Sequence, residues 1–379
     1  MKNNRTFLEK LLDGAEVEWK PLSLVTEMQR GKTITAKSAN EGKIPVISGG
    51  QKPAYYHSES NRDGKTITVA GSGAYAGYIM YWEEPIFVSD AFSIKTDESL
   101  LQIKYVYHFL LQNQQKIHAM KKGSGVPHVY PKDIGTLMIP IPPLSVQTKI
   151  VKILDALTAL TSELTSELTS ELILRRKQYE YYREKLLNID GMNKVIELGD
   201  VGPVRMCKRI LKNQTASSGD IPFYKIGTFG KKPDAYISNE LFQEYKQKYS
   251  YPKKGDILIS ASGTIGRTVI FDGENSYFQD SNIVWIDNDE TLVLNKYLYH
   301  FYKIAKWGIA EGGTIQRLYN DNLKKVKISI PPLKEQQRIV SILDKFETLT
   351  NSITEGLPLA IEQSQKRYEY YRELLLNFS

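Results

Sequence analysis

The chain has a single cysteine, Cys207, in 379 residues. That excludes a disulfide framework and any cysteine-built metal cluster, and it suits a reducing cytoplasm. No run approaches the ~18 apolar residues that a membrane span needs. The first residues, MKNNRTFLEKLLDG, are charged and hold no apolar stretch long enough for a signal peptide, so the expectation is a cytoplasmic protein with no membrane partner. Catalytic signatures are missing too. The histidines, His57, His108, His118, His128 and His300, show no metal spacing such as HExxH. The glycine-rich spots at 71–77 and 123–125 match neither a Walker-type phosphate loop nor a dinucleotide fingerprint, and read as loop glycines. No Asn-Pro-Pro-Tyr or Asp-Pro-Pro-Tyr tetrapeptide of an amino-methyltransferase occurs. The expectation is a chain with no catalytic residues, no metal ligands and no cofactor of its own.

What is present is a globular composition, 41% hydrophobic and 25% charged, with mean hydropathy −0.36 and a net charge of +7. That balance favours a polyanionic partner without identifying it. The dominant feature is repetition. IPPLSVQTKIVKILD (141–155) returns as IPPLKEQQRIVSILD (330–344), and KQYEYYREKLLN (177–188) returns as KRYEYYRELLLN (366–377), both 189 residues later. Upstream, TVAGSGAYAG (68–77) aligns with LISASGTIGR (258–267), which sets Asp90 in register with Asp280. KYVYHF (104–109) pairs with KYLYHF (296–301), and GSGVPHVY (123–130) with GGTIQRLY (312–319). LEKLLDG at the start resembles the end of the first repeated segment, REKLLNIDG, as in a circularly permuted two-fold object.

The segments after each proline pair read as helices. Ile150, Ile153, Leu154, Leu157, Leu160, Leu164, Leu168 and Leu172 recur at spacings of three and four, and proline suits a first helical turn. In the first arm TSEL is written three times, Thr161 to Leu172, and its leucines are expected to pack as a coiled-coil seam. In the second arm Gly356 and Pro358 predict a kink or break. Between the arms lie short β-branched and aromatic runs and helix-like segments, giving two mixed α/β domains. The fold class is therefore α+β: two α/β domains separated by an antiparallel pair of long helices. Boundaries fall at 1–15 (a helix completing the second arm), 16–141 (first domain), 142–190 (first arm), 191–330 (second domain) and 331–379 (second arm).

Loops at matched places in both domains carry Lys, Arg, Gln, Ser, Thr and Tyr, side chains that bond base edges and phosphates. The candidate DNA contacts in the first domain are Lys32, Gln51, Lys52, Tyr55, Ser72, Tyr75, Lys122, Ser124, His128 and Tyr130. Those in the second are Lys208, Lys225, Ser262, Thr264, Arg267, Thr314, Gln316, Arg317 and Tyr319. The arm ends offer Tyr179, Tyr182, Arg183, Tyr368, Tyr371 and Arg372, either as an arm-to-arm core or as a dock for a partner.

Taken together, the two PPLxxQxxIVxILD segments, the two YEYYRE arm ends, the paired variable domains and the TSEL words resemble the specificity subunit of a type I restriction–modification system over essentially the whole length. The resemblance implies that each variable domain is a target recognition domain reading one half of a split duplex DNA site. It implies that the arms space the domains and dock two methyltransferase subunits, with two restriction subunits joining the assembly. S-adenosylmethionine and ATP with magnesium are then expected on those partners. The TSEL run becomes a ruler: one word adds about one helical turn plus ~40°, close to the twist of one base pair in a duplex with about 10–10.5 pairs per turn. The competing readings are a coiled-coil scaffold with two protein-binding modules and a self-contained DNA methyltransferase.

Overall fold

A computed structural model describes residues 7–188, 194–308, 316–352 and 354–378. The chain forms two compact units, Met1–Leu168 with Ala360–Ser379, and Thr169–Leu359.

The first unit runs α1 (Phe7–Leu12), β1 (Glu18–Pro21), α2 (Leu22–Val25), β2 (Thr26–Arg30), β3 (Ile44–Ile47), β4 (Tyr55–His57), β5 (Thr66–Ala70), β6 (Ile79–Trp82), β7 (Phe87–Val88), β8 (Ala91–Thr96), α3 (Ile103–Gln112), α4 (Gln114–Ala119), α5 (Pro131–Ile134) and β9 (Met138–Ile141). Helix α6 (Leu144–Leu187) follows, its first part in this unit and its second in the other. The second unit continues with β10 (Lys194–Glu197), α7 (Leu198–Val201), β11 (Val204–Arg205), β12 (Ile221–Tyr224), β13 (Tyr236–Ile237), α8 (Asn239–Lys248), β14 (Ile257–Ser260), β15 (Thr268–Ile270), β16 (Tyr277–Phe278), β17 (Ile283–Ile286), α9 (Asn295–Tyr302), α10 (Asn320–Lys324), β18 (Lys327–Ile330) and α11 (Leu333–Asn351). Helix α12 (Leu357–Leu376) lies mostly in the first unit.

The repetition in the sequence is a repetition of topology. The first unit has a four-stranded sheet, β2-β8-β5-β6, a three-stranded sheet, β4-β3-β7, and a pair, β1-β9. The second has β11-β17-β14-β15, β13-β12-β16 and β10-β18 in the same order. In both three-stranded sheets the last pairing is parallel. Strands β5 and β14 are buried along their whole length because they sit at the centre of their sheets, which is why they read as continuous β-branched runs.

Each helical arm is fastened to its unit by the same side chains. Gln147, fully buried, accepts from the N–H of Gln102 at 2.9 Å and donates to the carbonyls of Leu100 and Pro142 at 3.1 and 2.8 Å. Gln336, equally buried, accepts from the N–H of Leu294 at 2.9 Å and donates to Leu292 and Pro331 at 3.0 and 2.9 Å. These bonds satisfy backbone groups around the starts of α3 and α9 that a helix leaves unpaired. Asp155 accepts from Lys104 at 3.0 Å and His108 Nε2 at 2.9 Å, and Asp344 from Lys296 at 2.6 Å and His300 Nε2 at 2.8 Å. The hydroxyls of Tyr105 and Tyr297 close each joint on the carbonyls of Pro140 and Ser329. The repeated PPLxxQ, ILD and KYxYHF words are therefore two sides of one joint.

Within the second unit α6 and α11 run antiparallel: Arg176 donates to the Thr350 carbonyl at 3.3 Å, while Tyr179 and Tyr182, further along α6, stack on the earlier Phe346. In the first unit Leu8 of α1 is buried in one cluster with Ile150 and Leu154 of α6 and Leu375 and Leu376 of α12. The second arm breaks between α11 and α12. Gly356 has φ +86°, and a Cβ there would lie 2.6 Å from the Thr348 carbonyl oxygen, so only glycine fits.

The leucine seam differs from its expectation. Ile150 and Leu154 are fully buried, but Leu160 and Leu164 are 62% and 38% exposed. A four-residue word turns each successive leucine about 40° around the helix, and the row leaves the packed face at Leu160 and Leu164 before Leu168 and Leu172 become half-buried again. The segment after α9 also departs from the sequence reading: the helix stops at Tyr302, short of the helix-like KIAKWG. Among the described residues no helix is long and apolar enough to cross a membrane.

Candidate nucleic-acid interface

In the first unit three loops converge at one end of the central strand β5. The 71–73 loop is bridged to His128, whose partner across a second bridge is Lys122. Val129 N–H donates to the Gly71 carbonyl and Gly73 N–H to the Pro127 carbonyl, both at 3.0 Å. Gly49, in the loop after β3, comes so close that a Cβ would lie 2.6 Å from the Ser72 carbonyl. Ser72 donates its hydroxyl to the carboxylate of Asp90, an exposed residue just before β8. His128 stacks on Tyr130 at 6.1 Å, and the Arg30 guanidinium lies 5.6 Å from the Tyr130 ring centre. Asp90, Thr33, Arg30, His128 and Tyr130 line a cavity of about 220 Å³.

The second unit builds the same corner. Ser262 is bridged to Arg317, Leu318 N–H donates to the Ala261 carbonyl at 2.8 Å and Gly263 N–H to the Gln316 carbonyl at 3.3 Å. One correction follows. The sequence alignment set Asp90 against Asp280, but Ser262 bonds Asn282 at 2.8 Å, 20 residues on, whereas Ser72 and Asp90 are 18 apart. Backbone bonds agree: Gly71 N–H donates to the Asp90 carbonyl, and Ala261 N–H to that of Asn282. Two extra residues before β17 therefore put a carboxamide where the first unit has a carboxylate. They also free Asp280 to accept from Arg209 Nε at 2.9 Å.

The sequence candidates divide accordingly. Ser72, Lys122, His128 and Tyr130 meet at the first corner, with Lys32, Tyr75 and Ser124 exposed on its loops and Gln51 and Lys52 exposed beyond Gly49. Ser262, Gln316 and Arg317 meet at the second, with Thr264 and Tyr319 exposed beside them. Thr314 lies outside the described residues. Others are engaged by partners within the chain. The Tyr55 hydroxyl donates to the Ile34 carbonyl at 2.6 Å, Arg267 to the Phe229 carbonyl at 3.1 Å, and Lys225 pairs with Asp234 at 2.9 Å. Lys208 lies over the Tyr249 ring at 5.0 Å. Sequence reasoning missed Arg30 and Arg209, which carry no distinguishing signal. It also missed Asp90 and Asn282, for which position in the repeat was the available clue.

The arm ends also divide. Tyr179 is 5% exposed, stacked on Phe346 at 6.2 Å with its hydroxyl 3.4 Å from His300 Nδ1. Burial raises its hydroxyl pKa to about 12, with Glu347 nearby adding to the shift. It is a core residue and offers nothing to a partner. Tyr368 accepts from the Thr158 hydroxyl at 3.0 Å and lies under Arg372, as Tyr179 lies under Arg183. Tyr182 and Tyr371 are exposed, each packed edge-on against a neighbour that sequence reasoning passed over, Tyr181 and Tyr370.

Ligand atoms of His300, Asp344 and Glu347 come within 4.8 Å of one another, the geometry of a possible metal site. Their charge is met from within the protein: Lys296 lies 2.6 Å from Asp344 and Lys303 2.5 Å from Glu347. The residues read as a joint, not as a metal cradle.

The sequence profile of the type I restriction modification DNA specificity domain matches residues 16–173 and again 191–363. A putative type I restriction enzyme specificity subunit of Haemophilus influenzae is 71% identical over the whole of both chains. The EcoR124I/EcoR124II specificity subunit of Escherichia coli is 31% identical across 98% of this chain and 97% of its own. The solved S subunit of a type I restriction–modification system from M. genitalium shares the fold with a TM-score of 0.52 at 16% identity, covering 97% of this chain and 98% of that one. With two copies of the domain and relatives matched end to end, the chain belongs to the type I restriction modification DNA specificity family.

Proposed function

We propose that the chain is the DNA-reading and assembly subunit of a type I restriction–modification complex, and that each unit reads one half of a bipartite duplex target. The observation that carries this reading is the doubled corner. In both units loops from the end of the central strand, from the segment before the neighbouring strand and from the segment before the last strand meet, tied together by a serine hydroxyl and carrying polar and cationic side chains. Such side chains read base edges, while the lysines and arginines around them hold phosphates. The net charge of +7 favours the same polyanion.

The chain itself holds no catalytic role in this proposal. Two methyltransferase subunits supply S-adenosylmethionine and adenine chemistry, and restriction subunits supply ATP-driven cleavage, in the cytoplasm. The exposed tyrosine pairs Tyr181–Tyr182 and Tyr370–Tyr371 are the docking faces for the methyltransferase subunits. The TSEL run, inside which the boundary between the two units falls, sets the unread gap.

The test is a map of methylated bases in cells expressing the chain with its methyltransferase subunit. The expected result is a split motif with modified adenines on both strands and a fixed gap. Deleting one TSEL word should shorten that gap by about one base pair and leave both half-sites unchanged. A single continuous motif would refute two-unit reading. A shifted half-site with the gap intact would refute the ruler.

A further inference from the structure

The corners of the two units differ in the charged group they expose, and that difference has the chemistry of base choice. Strand pairing fixes the correspondence. Met28 lies opposite Ile94 and Val204 opposite Ile286, and those partners flank equivalent residues of the central strands. The strand pairing ends at Arg30 and Arg205; counted on without a gap, Thr33 is the sequence counterpart of Arg209.

In the first unit Thr33 and Asp90 line the cavity together, and the Asp90 carboxylate is exposed to solvent. In the second, the Arg209 side chain is 67% exposed and its Nε donates to Asp280, which is only 15% exposed. Both Nη groups are without a hydrogen-bond partner among the described residues. The bracing carboxylate is itself held. Ser281, at the unfavourable φ of +58°, turns its hydroxyl back onto Asp280 at 3.3 Å, and Asn282 N–H donates to the Asp280 carbonyl at 2.7 Å. Bracing at Nε removes much of the rotamer freedom that a long exposed side chain would lose on binding. It leaves two parallel N–H donors facing outward, the fork that matches guanine O6 and N7 in a major groove.

We infer that Arg209, braced by Asp280, is the guanine-reading residue of the second unit, and that the first unit, with Thr33 in its place, offers the Asp90 carboxylate to the exocyclic amine of adenine or cytosine. Whether this position holds arginine or threonine thus sets whether a unit presents donors or an acceptor. This rests on the DNA-reading function proposed above.

The experiment maps methylation by the complete complex carrying the wild-type chain, Arg209→Thr or Arg209→Lys. Arg209→Lys keeps the positive charge and loses the planar fork. The expected result is that both variants relax one guanine position of a single half-site, by about ten- to a hundredfold in discrimination, while the other half-site and the gap stay as they were. Three results would overturn the inference. One is an unchanged motif in both variants. Another is a loss of methylation by Arg209→Thr that is uniform across all sites and rescued by Arg209→Lys, the mark of a phosphate contact. The third is a loss of complex assembly in both, the mark of a structural role. Failure of the underlying reading has a different signature, because the wild-type complex itself would then give no split motif.

Discussion

The two joints that fasten the units to their arms share a glutamine, an aspartate, a lysine, a tyrosine and a histidine, yet they finish differently. In the second unit His300 is bonded on both ring nitrogens, Nε2 to Asp344 and Nδ1 to the Tyr179 hydroxyl, and Glu347 collects Lys303 at 2.5 Å and Tyr299 at 2.7 Å. In the first unit the position of Glu347 is taken by Thr158, which draws the matched tyrosine, Tyr368, to itself at 3.0 Å. The Nδ1 of His108 is then a buried atom without a hydrogen-bond partner. Two residues exchanged in a duplicated frame, Thr158 for Glu347 and Leu111 for Lys303, separate a charged network from a sparse one. The shared part specifies where a unit sits on its arm, and the variable part sets how strongly it is held.

That comparison can be broken at its common element first. Gln147→Ala and Gln336→Ala should each destabilise their own unit by about 3 kcal/mol, because each removes a buried side chain and leaves one backbone N–H and two carbonyls without their partner. Hydrogen exchange should show the loss around the start of α3 in one variant and of α9 in the other. A loss in only one of them would mean the joints are not equivalent. A smaller effect sharpens the difference. Glu347→Thr, which imports the first unit's residue, should cost about 1–2 kcal/mol by leaving Lys303 and Tyr299 without their carboxylate. Thr158→Glu should cost less, since position 158 is exposed and the new carboxylate stays hydrated even with Leu111 where the second unit has a lysine. Equal costs in urea unfolding would contradict the comparison.

The smallest effect is on pH. Burial lowers the pKa of both His108 and His300 despite their aspartates, so protons bind more readily to the unfolded chain. A depressed histidine leaves its stability intact above its unfolded pKa of about 6.5 and loses it as pH falls below that. At Asp155 and Asp344 burial alone pushes the carboxyl up, but the bonds from histidine and lysine outweigh it and hold both below the usual range. Their share is lost only under more acidic conditions. Urea midpoints should therefore decline from pH 7.5 to 5.5 and fall further below pH 4. A midpoint that rises between 7.5 and 5.5 would reverse the assigned sign.

How far this was legible in the sequence follows from what repetition can reveal. Proline pairs, β-branched runs and the Gly356–Pro358 break express local backbone preferences, so the long helix, the strands and the interrupted second arm could be read directly. The joint was half legible: its words were conspicuous because they recur, but their pairing across many residues, such as Gln336 with Leu294, needed the fold. Leu160 and Leu164 misled, because spacing shows where a side chain points along a helix and not whether anything lies opposite. At the corners, two inserted residues before β17 moved the partner of Ser262 from Asp280 to Asn282. An ungapped alignment cannot see that. Arg209 was invisible for a related reason, since its meaning lies in the carboxylate it leans on.

The joint has an evolutionary consequence. Because the glutamine, aspartate, lysine, tyrosine and histidine of the socket recur in both halves, the sheets they carry can diverge without disturbing their mounting. A cell holding such a gene could acquire a new address by exchanging one reading head, and leave every other moving part of the machine unaltered.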